Sequence, residues 1–133
     1  MEFKCHRVSS GKARGEALVS KEAISFLGTV DPDTGIVVDP SHELYEKSIA
    51  GKVLIFPGGK GSTVGSYVIY QLKKRNVAPV AMINLRSEAI VAVGAIISGI
   101  PLVDKVSEDL FSIKNGLMVT VDADSEKVSV DTD

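Results

Sequence analysis

The 133-residue chain predicts an α/β fold, a parallel α/β unit flanked by β-rich ends. Residues 52–56 (KVLIF) are a near-continuous apolar run, the pattern of a strand buried on both faces. Two further apolar runs follow, at 79–85 and 100–103, and each gap between runs carries apolar residues at helical spacing. Strands alternating with helices in this way give a small parallel sheet. Before and after this unit, short β-branched runs are separated by turn residues, and neither flank has helical periodicity.

Taken in order, residues 2–8 predict a strand, 9–15 (SSGKARG) a polar loop, and 16–19 a return to extended chain. Residues 24–26 (ISF) form a short apolar run. In 28–39, Asp33-Thr34-Gly35 is turn chemistry between β-branched stretches, which predicts a hairpin or tight connection. After the 52–56 strand, 64–75 predicts a helix whose apolar face is Val64, Tyr67, Val68 and Leu72. Lys73, Lys74 and Arg75 suit the negative end of its dipole, and Asn76 is a left-handed stop. Ser87 predicts an N-cap, with Glu88 in the first turn of a helix ending at Gly99. Residues 89–103 are the longest apolar stretch and predict a buried helix followed by a buried strand. Runs at 110–113 and 117–121 flank Lys114-Asn115-Gly116, a hairpin signal, and 127–130 predicts a last strand. No linker or repeat divides the chain, so residues 1–133 read as one domain.

Composition narrows the function. A formal net charge of −2 argues against nucleic acid, because phosphate backbones select basic faces. The one cysteine, Cys5, suits a reducing compartment and cannot hold an iron–sulfur cluster by itself, since such clusters take about four thiolates. The N-terminus has no signal-peptide core, and the apolar stretch 89–103 is broken by Ser98, Gly99 and Pro101, short of the roughly twenty residues a bilayer needs. The expectation is a cytoplasmic chain with no membrane partner.

The candidate site is the loop FPGGKGSTVGSY, residues 56–67. Gly58, Gly59 and Gly61 allow positive φ and close approach to a ligand. Lys60 brings a full charge, Ser62 and Thr63 bring hydroxyls, and helix-start amides favour an anion. The competing reading is a glycine turn with Ser62 or Thr63 as a plain N-cap, and the residues alone leave both open. A nucleotide P-loop is disfavoured: position 54 is Leu, where that motif needs Gly, and Gly61 rather than Ser or Thr follows Lys60. The stretch DPDTG is a turn rather than a calcium loop, since position 42 is His where the final Glu should fall. His6 and His42 have no metal-ligand spacing, and the expected metal set is none. Arg14, beside Gly15, is either solvated or a bidentate clamp for a carboxylate.

In combination, Arg14-Gly15, Ala17-Leu18-Val19-Ser20, Ile24-Ser25-Phe26, Val30-Asp31-Pro32, Gly51-Lys52-Val53-Leu54, Gly59-Lys60-Gly61-Ser62 and Gly65-Ser66-Tyr67 resemble the small subunit of the aconitase X family, from about residue 11 to about residue 104. The resemblance implies a swivelling β/β/α domain, like the aconitase swivel, and a separate large subunit that carries an iron–sulfur cluster, of the 4Fe-4S type. It implies a hydro-lyase, and within the family it points to dehydration of (R)-5-phosphomevalonate to trans-anhydromevalonate 5-phosphate in the archaeal mevalonate route to isoprenoids. The position that matches the family's proton acceptor is Ser62, which leaves Lys60, Gly61, Thr63 and Arg14 as substrate-binding candidates. Two departures stand out. Thr29 replaces the second of two glycines before Val-Asp-Pro, and Val64 stands where aconitase proper has an arginine for an extra substrate carboxylate. The second argues against citrate-like and isopropylmalate-like substrates. The alternatives are a hydroxyproline dehydratase subunit of the same family and a non-catalytic anion-binding domain.

Overall fold

The computed structural model describes residues 1–131. Eight strands form one sheet in the order β1-β8-β7-β3-β4-β5-β6-β2. They are β1 (Glu2–Lys4), β2 (His6–Ser9), β3 (Lys12–Val19), β4 (Val53–Ile55), β5 (Ala81–Ile83), β6 (Leu102–Asp104), β7 (Met118–Asp122) and β8 (Lys127–Val130). The sheet's two end strands, β1 and β2, are separated in sequence by Cys5 alone, so the sheet closes on itself as a barrel. Glu126 fastens the seam: its carbonyl accepts from the Cys5 amide (3.2 Å) and its carboxylate from the Arg7 amide (2.9 Å). The single strand expected over 2–8 is thus two, because the chain turns a barrel corner at Cys5.

β3 is the pivot. Residues 12–16 pair antiparallel with β7, and 17–19 pair parallel with β4, so the polar loop expected at 9–15 is mostly strand. Gly15 marks the changeover, where a Cβ would sit 2.9 Å from the Gly51 carbonyl oxygen. β4, β5 and β6 continue the parallel sheet, with β2 antiparallel at its edge.

Alternate residues of the parallel strands feed two cores. Val53, Ile55, Ala81, Ile83 and Val103 point into the barrel against Val119, Val121, Val128, Val130 and Leu110. Leu54, Phe56, Met82 and Leu102 point outward, against a helical layer and the segment that supplies Ile24, Phe26, Leu44 and Ile49. This explains why β4 to β6 read as unbroken apolar runs.

The outer layer holds α1, a single broken turn (Phe26–Thr29), with α2 (Gly65–Lys74) and α3 (Ala89–Ser98). α2 buries Val68, Ile69 and Leu72, while Val64 and Tyr67, expected on that face, are exposed. Asn76 ends the α2 segment with φ +61° and Gly99 ends α3 with φ +67°. The α3 cap is Glu88, whose carboxylate accepts from Ile90 N (2.8 Å) and Val91 N (2.9 Å). Ser87, the expected cap, instead donates its hydroxyl to the buried Asp104 (2.7 Å).

The expected hairpin at Lys114-Asn115-Gly116 is a tight turn without a strand before it. Ser107 caps a 3-10 turn over Glu108–Ser112, and buried Leu110 anchors it in the barrel. The true hairpin joins β7 to β8 through residues 123–126. Asp33-Thr34-Gly35 is a turn as expected, closed by Gly35 N donating to the Asp31 carbonyl (2.9 Å), with Val30 bridged to Val37. Among the described residues, no helix is long and apolar enough to cross a membrane.

Candidate functional site

The glycine loop leaves the end of β4 and is fastened on both sides. On one side the Pro57 carbonyl accepts from Leu85 N (3.1 Å) and Arg86 N (3.2 Å). On the other, Ile24 N donates to the Gly58 carbonyl and Lys60 N to the Ile24 carbonyl, both at 3.1 Å. Beneath it, fully buried Asn84 donates its Nδ2 to the Phe56 carbonyl (3.1 Å), and its Oδ1 has no partner among the described residues. Phe56 meets Phe26 edge to face at 5.9 Å between ring centroids, which locks the 24–26 segment against the root of the loop.

The glycines are dictated by what lies against them. Gly61 has φ +87°, and a Cβ there would fall 2.3 Å from the Ser25 hydroxyl. At Gly59 a Cβ would fall 2.4 Å from a Glu88 carboxylate oxygen. The loop is therefore packed between Ser25 and the α3 cap, and its geometry is set before any ligand arrives.

What the loop presents outward is a run of exposed residues, Lys60 to Val64. The Ser62 hydroxyl accepts from Val64 N (3.1 Å), and the Ser62 carbonyl accepts from Gly65 N (2.9 Å), opening α2. The first turn of α2 has no acidic residue, so the positive end of its dipole is uncompensated from within. The amides of Gly61, Ser62 and Thr63 find no acceptor among the described residues. One lone pair of the Ser62 oxygen thus faces a fixed amide, beside three amides with free hydrogens.

Neither Ser62 nor Thr63 is the N-cap of α2: that position is Val64, which has no side-chain cap hydrogen bond, because the loop turns once more before the helix begins. The Ser62 hydroxyl instead closes a local turn just before the helix, and an amide donating to that oxygen is a group that would favour negative charge on it. Lys60 adds positive charge that reaches Asp39 in the 39–43 segment. There Asp39 is held below the usual carboxylate range, chiefly by hydrogen bonds from the hydroxyl and amide of Ser41, with small contributions from His42 and Lys60.

The structure brings Lys60, Gly61, Ser62 and Thr63 together and leaves Arg14 out. Arg14 lies in the antiparallel half of β3 opposite Thr120, and its guanidinium donates to Asp131. It precedes Val19, the β3 residue beside Ile55, by five positions, roughly 16 Å of extended chain. Glu88 and Asn84 reach the loop without having been singled out as site residues. Their only signal is position, at the end of β5 and in the turn that follows it.

His42 is a core residue whose Nε2 lies 3.2 Å from the Ala23 carbonyl and whose Nδ1 accepts from Leu44 N (3.1 Å). Among the described residues, no three His, Cys, Asp or Glu side chains are grouped to hold a metal ion. The Cys5 thiol is pushed up to about 11 by burial, then by Glu126, Asp104 and Asp122, the reverse of what a thiolate ligand needs.

Comparison with known proteins bears on the family and the fold. The family model for the aconitase X swivel domain matches residues 2–130. The phosphomevalonate dehydratase small subunit of Methanothrix thermoacetophila is 72% identical over 128 residues, covering 96% of this chain and 93% of that protein. The protein of the same name from Methanocella arvoryzae is 64% identical over 123 residues, covering 92% and 93%. The crystal structure of Thermococcus kodakaraensis aconitase X in its holo form matches with a TM-score of 0.94 at 55% identity, covering 99% of both chains.

Proposed function

The chain belongs to the aconitase X swivel-domain family, and from that premise we propose that it is the small subunit of a phosphomevalonate dehydratase, a hydro-lyase that acts only with a large subunit. The observation that carries this reading is the 72% identity to a small subunit of that name over nearly the whole of both chains. In this reading residues 1–133 form one swivelling domain that covers the large subunit's part of the site.

An iron–sulfur cluster does not fit here. The one cysteine has a raised pKa and no neighbouring ligand set among the described residues, and in this reading the large subunit carries the cluster. No step of this chain's own chemistry runs through it.

This chain supplies the base. Dehydration of (R)-5-phosphomevalonate removes a proton from the carbon next to the carboxylate and a hydroxyl from the following carbon. The C–H electron pair becomes the new double bond, and the C–O pair leaves with the oxygen. Ser62 takes the proton. A serine is a poor base in water, and three features shift that balance: the Val64 amide on its oxygen, the uncompensated end of α2, and the Lys60 charge. The amides of Gly61 and Thr63 flank Ser62, so the anion they hold with Lys60 is the group nearest the leaving proton, the substrate carboxylate.

The test is anaerobic turnover of 5-phosphomevalonate by the complex, with Ser62→Ala beside wild type. Loss of a general base lowers kcat by about a thousandfold, while losing the turn hydrogen bond to Val64 N costs about 1 kcal/mol of stability. A mutant as active as wild type would mean that Ser62 only closes the turn. An inactive wild-type complex with iron loaded would remove the substrate assignment.

A further inference from the structure

Among the described residues, the outer side of α3 has no partner. Its sequence, AIVAVGAIIS, carries no charge. One side packs inward through Val91, Gly94 and Ala95. The other leaves Val93, Ile96 and Ile97 at 48%, 57% and 47% exposure. A surface helix ordinarily turns a polar face to water, and one apolar all round is ordinarily covered all round. α2, in the same layer, does have polar outer residues in Gln71, Lys73 and Lys74.

Between the two helices lies an open groove of about 400 Å³, lined among others by Thr63, Tyr67, Ile90, Val93 and Ile97. Its near end is Thr63, the residue after Ser62. Beyond the loop the apolar surface continues through exposed Val64 and Leu27. Every large hydrophobic residue exposed on the described chain, other than Met1, falls between residues 27 and 97.

We propose that the groove between α2 and α3 is the docking seat of the large subunit, which places an apolar side chain or turn there. The inference rests on the function proposed above and adds the surface that assembles it. The occupant follows from continuity. A chain that completes a site at Ser62 must approach the 60–64 loop, and the groove opens directly beside that loop. A second copy of this chain would instead set one Ser62 loop against another, with neither supplying the rest of the site. Covering the groove also removes water from Ser62, which strengthens the amide and Lys60 interactions that favour its charged form.

The test uses the full chain and its large subunit. Val93→Asp and Ile97→Glu alter exposed positions, and circular dichroism checks their fold. Each is expected to weaken binding to the large subunit at least about a hundredfold, with turnover restored as the large subunit is raised to excess. Ser125→Arg, in the β7–β8 turn, is expected to leave affinity unchanged. For wild type, hydrogen exchange is expected to slow over residues 63–70 and 89–98 on mixing, a readout independent of any variant. Unchanged affinity of a folded Val93→Asp chain, or absent protection in a complex that forms, overturns the groove and leaves the function standing. So does a substitution that abolishes only self-association of the isolated chain. If wild type does not bind the large subunit at all, the function falls and the groove with it.

Discussion

The two sides of the central sheet are equally well buried on their inner faces and differ in what they show to solvent. On the barrel side, β7 and β8 alternate in the usual way, Val119, Val121, Val128 and Val130 inward and polar residues outward. On the helix side, the inner residues are as dry, yet Tyr67, Val93, Ile96 and Ile97 stand in water on the outer faces of α2 and α3. The barrel side is finished as a fold. The helix side leaves apolar surface uncovered among the described residues. Both halves hold a dry core, and the glycine loop and the exposed apolar residues of α2 and α3 belong to the helix side alone.

The sharpest way to break this comparison is to truncate one residue in each half. Ile55→Ala, fully buried in the barrel core, is expected to cost about 2–5 kcal/mol in denaturant melts. Ile96→Ala, exposed on α3, is expected to change the isolated chain by less than about 0.5 kcal/mol. Equal losses would mean that the outer face of α3 is already covered.

Next in size is the support beneath the loop. Asn84→Ala removes the donor to the Phe56 carbonyl and leaves that group buried and unpaired, about 1–3 kcal/mol. Turnover falls with it, because the loop root is released. Thermal melts and kcat measured together would show whether the two track.

Gly61→Ala is expected to cost about 1 kcal/mol from its φ of +87° alone, and to lower turnover through the collision with Ser25. Wild-type activity in that variant would mean that loop geometry is not set by packing.

The smallest effect is on acid stability. Burial raises the Glu43 pKa, but hydrogen bonds from Lys21 N, the Ser20 hydroxyl and Glu22 N outweigh it and hold the carboxyl below its ordinary value of 4.5. A depressed folded pKa stabilises the fold above the unfolded value, and that contribution is lost as pH falls through the folded one. Glu43→Gln should therefore flatten stability against pH below about 4.5 and lower it at neutral pH.

The parallel unit was legible because its signals are local. β4 announces itself by five adjacent residues, and Asn76 and Gly99 stop helices by their own backbone preferences. The helix-facing side of α2 was not settled by spacing. Val64, Tyr67, Val68 and Leu72 fit a helical stripe, and so do Gly65, Val68, Ile69 and Leu72. Ile69 packs on Gly94 of α3, where a Cβ would fall 2.6 Å from Ile69 Cδ1, and that contact selects the second stripe. The hairpin was misplaced for a related reason. Asn115 and Gly116 do make a turn, but its neighbours go to β3 and to a 3-10 turn rather than to each other.

By itself the sequence determined the parallel strands, the two main helices, the glycine loop with its serine, and the absence of a cysteine set for a cluster. These depend on residue type and on neighbours a few positions away. Only the tertiary structure decided that the sheet closes at Cys5, that Arg14 is held by Asp131 away from the loop, and that α3 shows a bare apolar flank. Those features depend on which distant segments meet, and an apolar helix reads the same whether one side is covered or both.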